Sequence, residues 1–84
     1  MIALSRRERR KQPIRRSVTS ALELYLNDLN GHPVSDLYNV VMKEVEPAIL
    51  NVVMQYVDGN QSHAAEMLGI SRGTLRKKLR QYNL

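Results

Sequence analysis

Residues 59–82 read GNQSHAAEMLGISRGTLRKKLRQY. This stretch divides into two short helices with a tight turn between them. Asn60 is a good N-cap for a helix over residues 61–68, which places Ala64, Ala65 and Leu68 on one face. Gly69 follows Leu68, where a helix commonly ends on a left-handed residue. Ser71 can cap a second helix over residues 72–81. In that helix Leu75, Leu79 and Tyr82 recur on one side at i, i+4 and i+7. Gly73, Lys77 and Gln81 fall on the opposite side, flanked by Arg72, Arg76 and Arg80. The second helix is thus pinned by leucines and offers a cationic face. Small residues in the first helix let two helices cross closely, so the pattern is a helix-turn-helix.

The wording of the motif carries a resemblance. Residues 59–79, GNQSHAAEMLGISRGTLRKKL, resemble the C-terminal signature of the Fis family of nucleoid-associated, DNA-bending proteins. The DNA-binding tails of activators that work with sigma-54 carry a related motif. The similarity to Fis continues upstream through LNDLNGHPVSDLYNVVMKEVE and ILNVVMQYV, so it spans about 65–70 residues. It implies an all-α, four-helix subunit with a C-terminal helix-turn-helix and an intertwined homodimer.

Length and composition set outer bounds. Eighty-four residues allow one small domain with a modest core, a size at which folds often need a partner. Without Cys there is no disulfide frame or cysteine zinc site, and two isolated His residues build no metal site. No apolar run is long enough for a membrane span, and no apolar segment follows the basic start as in a secretory signal. The expectation is a cytoplasmic protein with no cofactor, no small-molecule ligand and no catalysis. No nucleophile–base pair or phosphate loop is present, and the acids look scattered over the surface.

Charge is distributed unevenly. Residues 1–16 carry seven Arg/Lys against one Glu, residues 17–71 carry Lys43 against seven acids, and residues 72–84 carry five Arg/Lys and no acid. A basic tip and a basic start on an acidic body form a directed footprint for a polyanion. Residues 1–16 are expected to be a flexible basic arm that touches phosphates, with a solubilising tail or a misassigned start codon as alternatives; Ser5 to Gln12 could also be helical up to Pro13. Better-known Fis proteins carry a longer N-terminal segment that forms a mobile β-hairpin arm contacting a DNA invertase. Residues 1–16 lack an equivalent length of alternating apolar and acidic residues, so the resemblance leaves invertase stimulation open.

Residues 17–58 read as a dimerisation core. Ser17 can cap a helix over residues 18–29 with Val18, Leu22, Tyr25, Leu26 and Leu29 in phase, ended by Asn30-Gly31. His32 reads as a loop residue. Ser35 can cap a second helix over residues 36–57, with Asp36 in its first turn. Pro47 should kink this helix, although two helices breaking at Glu46 are an alternative. The second half, AILNVVMQYV, is apolar on almost every side, and a chain this short cannot surround it. A homodimer built on Val45, Ile49, Val52, Val53 and Tyr56 is the economical answer. Tyr25, Tyr38 and Tyr56 read as core or dimer contacts. The chain stops almost at the last helix, so no further domain is expected.

Site residues follow from the outward face. Arg72, at the helix entry, can bond guanine O6 and N7, and Lys77 can reach a base edge or phosphate. The resemblance implies that both are base contacts. Thr74, Arg76, Lys78 and Arg80 are expected on the DNA backbone. Asn60, Gln61 and Ser62 offer side chains and N–H groups to phosphate and match backbone-holding positions of the family. Ser71 stands where Asn is common, and Asp58 where a basic residue is common. Gly73 lets the helix backbone come close to DNA. No role falls to His63. The family further implies recognition helices closer than one DNA turn, hence a bent duplex with an A·T-rich centre. Double-stranded DNA and a second copy of the chain are the expected partners, with RNA polymerase a further candidate. Two other readings remain: the DNA-binding tail of a sigma-54-type activator, and a helical adaptor that binds protein through its apolar helix.

Overall fold

The computed structural model describes residues 13–84. Among them are four helices and no strand: α1 (Ile14–Asp28), α2 (Leu37–Tyr56), α3 (Gln61–Leu68) and α4 (Arg72–Gln81). They belong to two units that divide after Ser35.

The first unit contains α1. The helix begins at Ile14, not after Ser17 as expected, and so takes in the last three residues assigned to the basic arm. Pro13 makes the boundary. Its extended backbone starts the helix without a side-chain cap, and its carbonyl accepts from Arg16 N–H at 3.0 Å. Pro suits a helix start because its missing N–H would have no partner there. The helix ends at the expected place, where Asn30 and Gly31 both turn to positive φ. No residue of α1 is buried. Residues 1–12, and with them most of the arm and the possible helix over Ser5 to Gln12, lie outside the described residues.

The second unit contains α2, α3 and α4. Ser35 does not cap α2. Asp36 is the N-cap, in the left-handed region at φ 59°, and its Oδ1 accepts from the Asn39 side chain at 2.8 Å. Short Asp side chains tolerate that conformation better than most. From there α2 runs for 20 residues through Pro47 as one helix, without breaking at Glu46. It ends in a Schellman turn: Asp58 N–H reaches the Gln55 carbonyl and Gly59 N–H the Met54 carbonyl.

The motif forms as its sequence indicates. Asn60 Oδ1 accepts from His63 N–H at 3.1 Å, and Ser71 Oγ accepts from Thr74 N–H at 3.1 Å. Gly69 has φ +72°, which places Ile70 N–H on the Ala65 carbonyl at 3.1 Å and closes α3. The core consists of Leu50, Val57, Ala64, Ala65, Leu75 and Leu79, with Val53, Met54, Leu68, Ile70 and Tyr82 packed against it. Ala64 and Ala65 are almost fully buried, so α3 meets its neighbours with nothing larger than methyl groups at the crossing. This core draws only on the second half of α2. Leu50 is 2% exposed there, yet Ile49, Val52 and Tyr56 are 46%, 65% and 74% exposed. The segment that is apolar all round is therefore covered on one side alone within a single chain.

Candidate nucleic-acid interface

The apolar residues of α4 decide where its cations go. Leu75 and Leu79 are drawn into the core, and Tyr82 is half-buried behind them. The helical repeat then leaves Arg72, Gly73, Thr74, Arg76, Lys77, Arg80 and Gln81 exposed. Arg72, Arg76, Lys77 and Arg80 form no ion pair with another described residue. Four unneutralised cations on two and a half turns give this side a strong positive field.

The caps leave donors over. Ser71 Oγ donates to Thr74 Oγ1 at 2.9 Å while it accepts from Thr74 N–H, so the Thr74 hydroxyl keeps its own proton for an outside acceptor. The N–H groups of Arg72 and Gly73 precede the first bonded residues of α4 and have no partner inside the helix. At the start of α3, Asn60 uses its Oδ1 on His63 and retains its amide hydrogens. Ser62 is exposed and Gln61 half-buried beside it. Both helix starts thus carry free N–H groups together with hydroxyl and amide donors, a chemistry suited to phosphate oxygens. A Cβ placed on Gly73 would meet only Ser71 Oγ, at 4.0 Å. The packing of the chain itself does not require glycine there.

Lys78 stands apart from the other expected backbone contacts. Its Nζ lies 2.8 Å from Glu46 Oε2, on α2, and Tyr82 Oη donates to Glu46 Oε1 at 2.6 Å. Lys78 and Tyr82, the residue that ends α4, are four positions apart, so both reach the same carboxylate. The Lys78 bond, and after it the Tyr82 bond, holds the Glu46 carboxyl below the usual range. The same bond from Tyr82, with some burial, pushes its phenol up. Sequence reading missed Glu46, placing it among scattered surface acids. A signal existed: it is the acid on α2 next to Pro47, where the helix enters its core-packed half.

A second feature lies on α2. Tyr38, Met42, Val45, Ile49, Val52 and Tyr56 are spaced alternately four and three residues apart. All are exposed except Val45, which is half-buried. This is the spacing of a coiled-coil seam, about 27 Å long at 1.5 Å per residue. Pro47 falls off the seam, so its missing N–H does not interrupt it. Of the residues expected in the dimer core, Val53 packs instead into the chain's own core.

Residues 41–82 match the family described as "Bacterial regulatory protein, Fis family". The chain belongs to the Fis family. Residues 4–34 match the "DNA-binding protein Fis N-terminal domain", which takes in most of the basic start. The chain is 54% identical to the DNA-binding protein Fis of Proteus mirabilis over 74 residues, covering 88% of this chain and 76% of that one. The Fis proteins of Aeromonas hydrophila and Yersinia pestis are 55% identical over the same shares. The all-α fold with its helix-turn-helix agrees with this membership.

Proposed function

We propose that this chain is a homodimeric DNA-binding and DNA-bending regulator of the bacterial nucleoid, with α4 of each subunit in a major groove. The observation that carries this reading is the exposed set Arg72, Arg76, Lys77 and Arg80 on a helix fixed by Leu75 and Leu79. Arg72 and Lys77 read base edges. Thr74, Arg76, Arg80, Asn60, Gln61 and Ser62 hold the backbone. The names of the Fis relatives support DNA as the ligand.

Dimerisation is supported by the α2 seam and by α1, a 15-residue amphipathic helix with nothing buried. Apolar surface contributes about 25 cal/mol per Å² only when something covers it, and a second copy presents the matching seam. Two reading helices held closer together than one DNA turn, as the family resemblance implies, require the duplex to bend. Sites with an easily deformed, A·T-rich centre are then favoured without contact to the central bases. RNA polymerase is a further partner at promoters. The role is regulatory, with no catalytic step and no cofactor.

The test is binding to A·T-centred and G·C-centred duplexes across a salt series. The expected result is a steep salt slope, preference for the A·T centre, and a loss of about 1–3 kcal/mol for Arg72→Ala or Lys77→Ala. Weak, salt-insensitive binding would overturn the reading. So would a monomer in sedimentation at micromolar concentration.

A further inference from the structure

The bonds at Glu46 join the two functions assigned above to separate helices. Val45, its neighbour on α2, belongs to the seam, while Lys78 lies on the reading helix and Tyr82 ends it. Leu75 and Leu79 hold α4 against the core through apolar contacts. Hydrogen bonds are directional, and two from one carboxylate to points one turn apart restrict rolling and sliding of the helix. Each Glu46 oxygen is used once, at 2.6 and 2.8 Å. Lys78 thereby differs from Arg72, Arg76, Lys77 and Arg80, whose charges are free of protein partners among the described residues.

The geometry points to Glu46 as a positioning residue for DNA selectivity. Through Lys78 and Tyr82 it locks the angle of the reading helix to the dimerisation helix, and so sets how far the duplex must bend. Lys78 serves this lock and is not a phosphate ligand. The inference rests on the reading of a DNA-bending dimer. If α4 can roll, two subunits reach their grooves with less bending of the duplex. Deformability of the central base pairs then matters less, and the preference for an A·T centre shrinks. A general loss of folded protein lowers binding to both duplexes alike and leaves their ratio unchanged, so the ratio isolates the positioning role.

The experiment compares the full chain with Glu46→Gln, Lys78→Gln, the double variant and Tyr82→Phe, each checked for dimerisation by sedimentation. Binding to duplexes that differ only in their centre is measured across a salt series. The A·T over G·C ratio should fall by about threefold in Glu46→Gln and Lys78→Gln, and no further in the double variant, because both remove one interaction. Tyr82→Phe, which keeps the ring and removes one bond, should lower the ratio less. The salt slope should be the same in all. A ratio unchanged in both Glu46→Gln and Tyr82→Phe overturns the inference. So does a slope reduced by about 0.9 per subunit in Lys78→Gln alone, the mark of a lost phosphate contact. A parent protein that binds as a dimer without any centre preference overturns the proposed bending itself, which is a separate failure.

Discussion

The helix-turn-helix and α1 are both helical and both amphipathic, yet only the first has buried residues. The motif, together with the second half of α2, closes a core around Leu50, Ala64, Ala65, Leu75 and Leu79. In α1, Val18, Tyr25 and Leu26 form a helical stripe that remains exposed. The difference shows where this protein obtains its stability. A helix keeps its shape mainly through the apolar face it buries, because propensity alone is marginal at this length. The motif supplies its own cover through two short helices and a tight turn. In the dimer proposed above, a second copy covers the stripe of α1 and the seam of α2.

Adjacent residues on α2 give the sharpest way to break this contrast. Leu50→Ala should cost about 2–5 kcal/mol at every protein concentration, since it opens a cavity inside one chain. Ile49→Ala, one position away, should cost less, and its effect on thermal unfolding should depend on concentration because it weakens association. Equal, concentration-independent losses would show that the two faces of α2 do not divide as described. The caps come next in size. Asn60→Ala and Ser71→Ala should each lower stability by about 0.5–2 kcal/mol in denaturant titrations. The matching change at Ser17, which lies inside α1, should have little effect.

Gly73→Ala separates the needs of folding from those of binding. With no obstacle to a Cβ, it should stabilise the free protein by up to about 1 kcal/mol. If α4 lies close against DNA, the same change should weaken binding; unchanged binding would show that the backbone is not approached there. The smallest effect is on pH dependence. The folded state lowers the Glu46 carboxyl, so its tie contributes stability above the usual carboxylate range and loses it as pH falls through the lowered value. The folded state raises the Tyr82 phenol, so that contribution is present below about pH 10 and is lost as pH rises through the raised value. Between these limits Glu46→Gln should be less stable than the parent. The gap should narrow in acid; a gap unchanged at low pH would show that the ionised carboxylate is not its source.

The boundaries of the motif were legible because its information is local. A cap acts within three residues, a left-handed glycine ends a helix where it stands, and the i, i+4, i+7 spacing of Leu75, Leu79 and Tyr82 sets the buried side. The family could be read from the same stretch. The start of α1 was misread because Ser17 is a good cap by type, while Pro13 begins the helix earlier with no side-chain bond. Asp36 replaced Ser35 for a related reason, since its left-handed backbone is not evident from residue type alone. The helices of the motif, the turn and the cationic face are all products of neighbours along the chain. The packing of helix on helix settled that Lys78 faces Glu46 and that Val53 turns inward while Val52 stays exposed. The first of these joins residues 32 positions apart along the chain, and local spacing holds no record of such a meeting.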